Sequence, residues 1–371
     1  MKKGVFPRSD LFNLIISGRL NALDGFKENH VGVASVDITT TGEAYRIEKV
    51  LQPNPRYKET VRGLLSAMGA RRIELGSILE PQGSYLAKAS LDVNFPPGVY
   101  GFLNARSSSG RNFVHVRTLV DYIFEFDSVD RRHEGLTAEV WLLIEPLVYP
   151  IILTKDECYT QLRIFNGDTR FQQEDLDGLL EKCDLLYHHR TQEPFKQGEL
   201  SHFTHDGTIW CTLRAKDGLV GYKAKRSKRA LDLAAPKGSI DPREYFEPVY
   251  AERFGDNETG WGVQLQSGEY YLLSTQEIIK VPLHVSFELV GLDRRIGDVF
   301  THFAGFFDPG WFGTGTLEVH SARSNVFLRH QHPFARFQIE YIRGEAESYA
   351  AKGTYQGQIG TRLPKQFSDW Q

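Results

Sequence analysis

The sequence predicts a mainly β protein that consists of two tandem copies of one β-domain and contains a few short helices. Three observations lead to this fold class. The 371 residues include 34 glycines, 24 phenylalanines and 16 tyrosines. Most apolar runs are short and end at Gly, Pro, Asn or Asp, which is typical of strands joined by turns. A set of residues also recurs in the same order in both halves of the chain, as expected for an internal duplication.

The outer intervals of the repeat are similar in the two halves, and the middle is less regular. Arg111 follows Gly83 by 28 residues and Arg295 follows Gly268 by 27, while Gln161 follows Glu139 by 22 residues and Gln338 follows Glu318 by 20. The repeat predicts an N-terminal domain over 1–170, a helical connection over 171–200 and a C-terminal domain over 201–371.

Two segments carry helical signals. Residues 10–18 begin with Asp10 and end with Gly18, which are residue types that favour the start and the end of a helix. Residues 173–186 place Leu176 and Leu179 at helical spacing. Both helices are expected to pack on a sheet.

Composition and charge exclude several classes of partner. The formal net charge is −3, so there is no global positive field to hold a nucleic acid. No apolar run reaches the roughly 18 residues that a membrane helix needs, and the first residues lack the apolar core of a signal peptide. We therefore expect a cytoplasmic protein with no membrane partner.

Cysteine and histidine placement argues against a bound metal. The three cysteines are far apart, so neither a disulfide framework nor a CxxC zinc site is supported. Zinc-dependent deaminases need a His/Cys-x-Glu motif followed by PCxxC, and His133-Glu134 has no such partner. His330 and His332 have no glutamate at short spacing and are expected to be surface residues. No metal ligand is predicted.

Three segments have residue types suited to chemistry. Residues 106–111 (RSSSGR) place two arginines around adjacent hydroxyls, which together with backbone N–H groups can bind phosphate or form an ordinary turn. Glu318 lies between Leu317 and Val319, so on a strand it faces away from them, toward solvent or into a pocket. The Gly-rich segment 349–362 predicts a mobile tail or a lid over a charged ligand.

Together these motifs resemble dCTP deaminases of the trimeric dUTPase superfamily. The resemblance rests on R-S-S-x-x-R at residues 106–111, D-P-G-W at 308–311, G-x-x-x-L-E at 313–318 and Y-Q-G-Q at 355–358, with support from the segments 14–20 and 34–38. It implies two dUTPase-like β-barrel or jelly-roll domains. It also implies a homo-oligomer, with a trimer favoured, that acts on dCTP or dUTP.

The resemblance further implies a role for each matching residue. Glu318 would be the proton shuttle in a zinc-free deamination of dCTP, and Arg111 would help to position it and the attacking water. The triphosphate, accompanied by Mg²⁺, would be bound by the remaining residues of the box and by the tail, while the D-P-G-W segment would hold the sugar and shape the pocket. These substrate-binding residues are Arg106, Ser107, Ser108, Asp308, Trp311, Lys352, Tyr355 and Gln358.

Two questions stay open at this level. The complete Arg-Ser-Ser box lies in the first copy and the better-matching glutamate lies in the second. The first copy is therefore expected to supply the phosphate donors and the second copy the base. The rival arrangement uses first copies alone, with Glu139 as the base. The alternative functions are a dUTPase or a bifunctional enzyme, and a non-catalytic β-domain protein that binds nucleotides.

Overall fold

The chain forms two compact units. The computed structural model describes residues 3–129, 136–200, 203–255, 260–292, 299–300, 304–344, 346–351 and 353–370. The N-terminal unit comprises Met1–Thr169, Arg226–Ser239 and Ile342–Ala346. The C-terminal unit comprises Arg170–Lys225, Ile240–Tyr341 and Glu347–Gln371.

The N-terminal unit contains two main antiparallel sheets. The first has the order β1 (Gly4–Val5), β13 (Thr160–Asn166), β8 (Val99–Ala105) and β10 (Ser128–Val129), and β3 (Val36–Ile38) also pairs with β13. The second has the order β5 (Arg71–Ile73), β4 (Thr40–Ile47), β7 (Ser84–Val93), β11 (Ala138–Pro146) and β9 (Val114–Val120), with β2 (Leu20–Ala22) on β7. A small sheet joins β6 (Ile78–Leu79) to β12 (Ile151–Ile152).

The C-terminal unit repeats this plan. One sheet has the order β15 (Thr204–His205), β16 (Thr208–Thr212), β27 (Pro333–Tyr341), β22 (Val285–Val290) and β24 (Phe306–Phe307). The other has the order β18 (Phe246–Tyr250), β17 (Leu219–Ala224), β21 (Tyr270–Lys280), β25 (Phe312–Ser321) and β23 (Val299–Phe300), with β14 (Leu186–Tyr187) on β21. A third sheet joins β19 (Glu252–Arg253), β20 (Trp261–Leu265) and β26 (Val326–Arg329).

The prediction of a duplicated β-protein is confirmed. Besides the shared strand order, each unit has a tyrosine that closes the turn before its central strand. The hydroxyl of Tyr85 accepts a hydrogen bond from the backbone N–H of Glu80 at 2.8 Å, and that of Tyr271 accepts one from Gln266 at 2.9 Å. The matching hydrogen bonds fix these two tyrosines as counterparts.

The core of the C-terminal unit lies between its two main sheets. Leu273, Leu317 and Val319 belong to the same apolar cluster as Phe287 and Ile339 from the opposite sheet. Their neighbours along each strand point to the other face, because side chains alternate along a strand. This alternation separates a core face from an outer face on β21 and β25.

The described residues contain five short α-helices. They are α1 (Arg8–Ile16), α2 (Val61–Leu64), α3 (Ser107–Arg111), α4 (Gln173–Leu180) and α5 (Gln197–Leu200), and single 3-10 turns occur at Glu28–His30, Pro55–Tyr57, Pro242–Glu244 and Tyr349–Ala351. The longest has nine residues, and none in the part of the chain that the structure describes is long and apolar enough to cross a membrane.

Both predicted helices exist, with corrected ends. The first begins at Arg8, two residues before Asp10, because Pro7 occupies the N-cap position, and it stops before Gly18, whose φ of 68° leaves the helical region. The second ends at Leu180 and not at Leu186, because Leu186 pairs as a strand with Ile279. The spacing of apolar residues extended the predicted helix to residue 186, but Leu186 and Tyr187 form a strand that pairs with β21.

The segment expected to connect the domains belongs to the C-terminal unit. Residue 170 begins that unit, and the backbone N–H of Phe171 donates to the carbonyl of Ile339 at 2.9 Å. Helix α4 and strand β14 take the places that α1 and β2 have in the first unit, so this segment is the beginning of the second copy.

Candidate active site

The Arg-Ser-Ser box lies where strand β8 ends. Arg106 is the N-cap residue of α3, and the helix carries the hydroxyls and Arg111. Ser108 and Arg111 are buried, whereas Ser107 is half-buried. The short helix follows directly after the strand, so the box is held at one end of the first sheet.

Acidic side chains orient the box. The Arg106 guanidinium lies 3.2 Å from the Asp37 carboxylate and 4.0 Å from that of Glu157. The Ser108 hydroxyl donates to Glu157 at 2.8 Å, and Glu157 is 3% exposed. Glu157 was missed in the sequence because it lies far along the chain from the box and no motif includes it.

Glu318 lies on β25, on the outer face of the sheet that contains β17, β21 and β25. Its strand neighbours Leu317 and Val319 belong to the core, and Glu318 itself is only 2% exposed. Leu272 pairs with Glu318 on one side and with Tyr222 on the other, so these three residues form a row across β17, β21 and β25. This outer surface, with Ser274 and Thr316, is called the Glu318 face below.

The C-terminal segment docks onto the Glu318 face. The Gln358 side chain donates to the carbonyl of Thr314, whose N–H donates to the Gln358 carbonyl at 2.9 Å. Further along, the N–H of Arg362 donates to the Thr316 hydroxyl at 3.2 Å. A Cβ at Gly313 would lie 2.8 Å from the Gln358 carbonyl oxygen, so this glycine permits the close approach.

Two of the predicted tail residues are described, and they differ in exposure. Gln358 is 4% exposed, whereas Tyr355 is half-buried and its hydroxyl accepts from the N–H of Lys365 at 3.2 Å. The tail residues 355–362 are thus docked on the sheet, whereas a mobile tail was one expectation. Lys352 lies outside the described residues.

The D-P-G-W segment forms the turn between β24 and β25. Asp308 is half-buried, and its carbonyl accepts from the N–H of Trp311 at 3.1 Å. The Trp311 ring is 5% exposed, belongs to the core cluster and meets Phe307 edge-on at 4.8 Å. The ring that was expected to shape a pocket therefore packs in the core.

The backbone register corrects the sequence pairing of Glu139 with Glu318. The pairing of β7 with β11 passes from Lys88–Trp141 to Asp92–Glu139 across a bulge. The pairing of β21 with β25 passes from Ser274–Thr316 to Ile278–Thr314 across a bulge of the same length. Glu139 is therefore the counterpart of Thr314. Spacing along the sequence had aligned Glu139 with Glu318. This alignment was wrong because the connections before β11 and β25 differ in length.

The N-terminal counterpart of Glu318 is Leu143. Leu143 pairs with Leu86 as Glu318 pairs with Leu272. It is 3% exposed and belongs to an apolar cluster with Leu86, Trp141 and Val61 of helix α2. The N-terminal unit thus has an apolar side chain at the position where the C-terminal unit has a carboxylate.

Glu139 instead takes part in an ion-pair cluster. Its carboxylate accepts from Arg62 at 3.2 Å and from the Trp141 indole at 3.1 Å, and Arg62 also pairs with Glu43 at 2.8 Å. Burial raises the pKa of neighbouring Asp121 to about 6, against the hydrogen bonds that Asp121 accepts from the N–H groups of Val61 and Glu139.

One buried acid in the C-terminal unit had no sequence signal. Glu277 is 2% exposed in the bulge of β21, and its carboxylate accepts from the N–H and the hydroxyl of Thr212 at 2.7 Å and 2.6 Å. Burial raises its pKa from 4.5 to about 7. The bulge turns this side chain inward, and the alternation of residues along the sequence does not predict a bulge at this point.

Within the described ranges, no group of three or more His, Cys, Asp or Glu side chains could hold a metal ion.

Comparison with known proteins identifies the family of both units. The model of the 2'-deoxycytidine 5'-triphosphate deaminase N-terminal domain matches residues 2–168, and that of the C-terminal domain matches residues 182–367. The curated dCTP deaminase of Aeropyrum pernix is 35% identical over 148 residues, which cover 39% of this chain and 74% of that protein. The curated dCTP deaminase of Ignicoccus hospitalis is 28% identical over 157 residues, which cover 40% of this chain and 79% of that protein.

A solved structure shares the fold along nearly the whole chain. The crystal structure of 2'-deoxycytidine 5'-triphosphate deaminase from Agrobacterium tumefaciens matches with a TM-score of 0.80 at 23% identity, covering 94% of this chain and 100% of that chain. With both domain models matched and the duplicated β-fold shared, the chain belongs to the dCTP deaminase family.

Proposed function

We propose that this protein hydrolyses dCTP to dUTP and ammonia, with Glu318 as general acid and base and without a protein-bound metal. The observation that carries the proposal is a buried carboxylate on a sheet face onto which the C-terminal tail docks, in a chain of this family. The two curated relatives are named for the same reaction.

The proposed chemistry needs one group that both takes and gives protons. Glu318 takes a proton from the water whose oxygen bonds to C4 of cytosine, and delivers it to N3. It then carries the proton of the new hydroxyl to the amino group, the C4–N bond breaks, and ammonia leaves. A buried carboxylate suits this role because it can take up a proton and return it at a fixed position beside the reacting atoms.

The remaining predicted residues keep their roles as proposals, except that Trp311, predicted to shape the pocket, is given a role consistent with its place in the core. Arg106, Ser107 and Ser108 bind the triphosphate with its Mg²⁺, and Arg111 helps to position the reacting groups. The ion pair with Asp37 supports the role of Arg106, since it holds the guanidinium in one orientation. Asp308 binds the sugar, Trp311 supports the turn that carries Asp308, and Lys352, Tyr355 and Gln358 cover the ligand. Trimeric assembly remains a proposal that light scattering of the intact protein can measure.

Replacing Arg106 by alanine is expected to raise the KM for dCTP by about 10-fold to 10²-fold, because a charge-assisted hydrogen bond to phosphate contributes about 1.5–3 kcal/mol. Steady-state ammonia release measures the change. The matched control is Arg71→Ala, which removes an exposed arginine that also pairs with a glutamate, at 2.8 Å. An unchanged KM in Arg106→Ala would remove Arg106 from the phosphate site.

Product analysis tests the reaction itself. The protein is incubated with dCTP and with dUTP, with and without a zinc-selective chelator in excess Mg²⁺. We expect ammonia and dUTP from dCTP, at a rate that the chelator does not change. Pyrophosphate and dUMP from dUTP would show a dUTPase or a bifunctional enzyme. Tight dCTP binding without any product would show a nucleotide-binding protein and overturn the proposal.

A further inference from the structure

Ser274 is a buried hydroxyl on the Glu318 face. It lies on β21 directly opposite Thr316, and its neighbour Leu273 belongs to the core, so Ser274 points to the outer face as Glu318 does. Leu272, two residues before Ser274, is the pairing partner of Glu318. Ser274 and Glu318 are therefore diagonal neighbours on one face, a relation that places their Cβ atoms about 7 Å apart.

The Ser274 hydroxyl has no partner among the residues that the structure describes. The side chain is 0% exposed, and its oxygen is buried without a hydrogen bond. The opposite hydroxyl, that of Thr316, accepts from the N–H of Arg362 at 3.2 Å. The docked tail therefore provides a hydrogen-bond partner for the Thr316 hydroxyl and provides none for the Ser274 hydroxyl. A buried hydroxyl without a protein partner normally bonds to a water or a ligand.

The N-terminal unit has a longer, charged side chain at the position that corresponds to Ser274. The counterpart of Ser274 is Lys88, whose ammonium pairs with Asp92 at 2.6 Å. Both partners of that buried ion pair are replaced in the C-terminal unit, by Ser274 and Ile278. Serine is several atoms shorter than lysine and cannot reach a partner at the distance of Asp92, so the C-terminal unit has a short hydroxyl where the first unit has an ion pair.

We propose that Ser274 is a positioning residue that holds the attacking water against the Glu318 carboxylate. A diagonal spacing of about 7 Å leaves room for one water between a serine hydroxyl and a glutamate carboxylate. The hydroxyl fixes the direction of the water's lone pair, and the carboxylate takes its proton. This inference rests on the proposed function, in which Glu318 is the base.

The test compares three variants of the full-length protein in ammonia release from dCTP. Ser274→Ala is expected to lower kcat by about 10²-fold, the effect of misplacing a reactant by about an ångström, and to leave KM unchanged. The acidic limb of its kcat–pH profile should move to higher pH, because the water no longer links a hydroxyl donor to the carboxylate. Ser274→Thr keeps the hydroxyl and should retain most of the activity.

Ser286→Ala is the matched control. Ser286 lies on β22 in the other sheet of the same unit, is also 0% exposed, and also has a hydroxyl without a partner among the described residues. A purely structural effect of removing such a hydroxyl should appear equally in both alanine variants. Should Ser274→Ala fail to fold, Ser274→Cys keeps the size and removes the strong hydrogen bond, and a low kcat is expected there.

The outcomes separate the two proposals. Normal kcat in Ser274→Ala, with Glu318→Gln inactive, overturns the role of Ser274 and leaves the proposed function standing. Normal turnover in Glu318→Gln overturns the assignment of the base. A low kcat confined to the variants without the Ser274 hydroxyl, with an altered pH profile and a normal Ser286→Ala protein, supports the inference.

Discussion

Glu318→Gln is expected to lower kcat for ammonia release from dCTP by at least about 10²-fold, because general acid–base catalysis contributes about 10²-fold to 10⁴-fold and a carboxamide cannot carry the proton. Glutamine keeps the size and one acceptor oxygen, so the 2%-exposed position should still pack. Single-turnover ammonia release, which isolates the chemical step, measures the loss.

Glu139→Gln is the control for this prediction. Glu139 lies on β11, the strand that corresponds to β25, but it pairs with Arg62 and its register counterpart is Thr314. We expect normal kcat in this variant. The reverse result, with an active Glu318→Gln protein and an inactive Glu139→Gln protein, would transfer the base to the N-terminal unit.

Glu277→Gln is expected to stabilise the C-terminal unit at alkaline pH. The folded-state pKa of Glu277 is raised from 4.5 to about 7, so the folded protein binds more protons than the unfolded chain between these values. The free energy of unfolding of the wild type therefore falls as pH rises through this window. A neutral glutamine escapes this loss, which is on the order of 3 kcal/mol above pH 7. Its amide oxygen can accept from the N–H of Thr212, and its NH₂ group can donate to the Thr212 hydroxyl, which then acts as the acceptor.

Tryptophan fluorescence during urea unfolding can measure this difference. Trp210, Trp261, Trp311 and Trp370 lie in the C-terminal unit and Trp141 lies in the other, so the signal reports chiefly on the unit of interest. The variant should exceed the wild type at pH 8 and match it near pH 5. Glu247→Gln, which alters an exposed carboxylate, should leave the pH dependence unchanged. A less stable Glu277→Gln protein at pH 8 would show that the fold needs the charged form.

The fold class was predictable because strand alternation and turn residues are local properties. The burial of Leu317 and Val319 and the opposite orientation of Glu318 followed from a period of two. The ends of the elements were less accessible. Leu186 joined the second predicted helix in the sequence, yet it pairs with Ile279 from a strand far along the chain.

Candidate site residues could be proposed from the sequence where short motifs carry them, but not where folding brings distant residues together. The box at residues 106–111 and Glu318 were proposed from adjacent residues. Glu157 escaped notice because it approaches Ser108 only through strand pairing. Trp311 was placed at a pocket from its motif, whereas packing against Phe307 directs it into the core.

The β-class, the duplication and the outward direction of Glu318 followed from the order of residues alone. Which residues of the two copies correspond depends on the tertiary structure. A bulge shifts the register of a strand pair, and connections of unequal length shift the spacing along the chain. Glu139 and Glu318 therefore occur in the same order within their copies but do not occupy corresponding positions in the sheets. Hydrogen bonds between strands, which no single segment encodes, set Leu143 opposite Leu86 and Glu318 opposite Leu272.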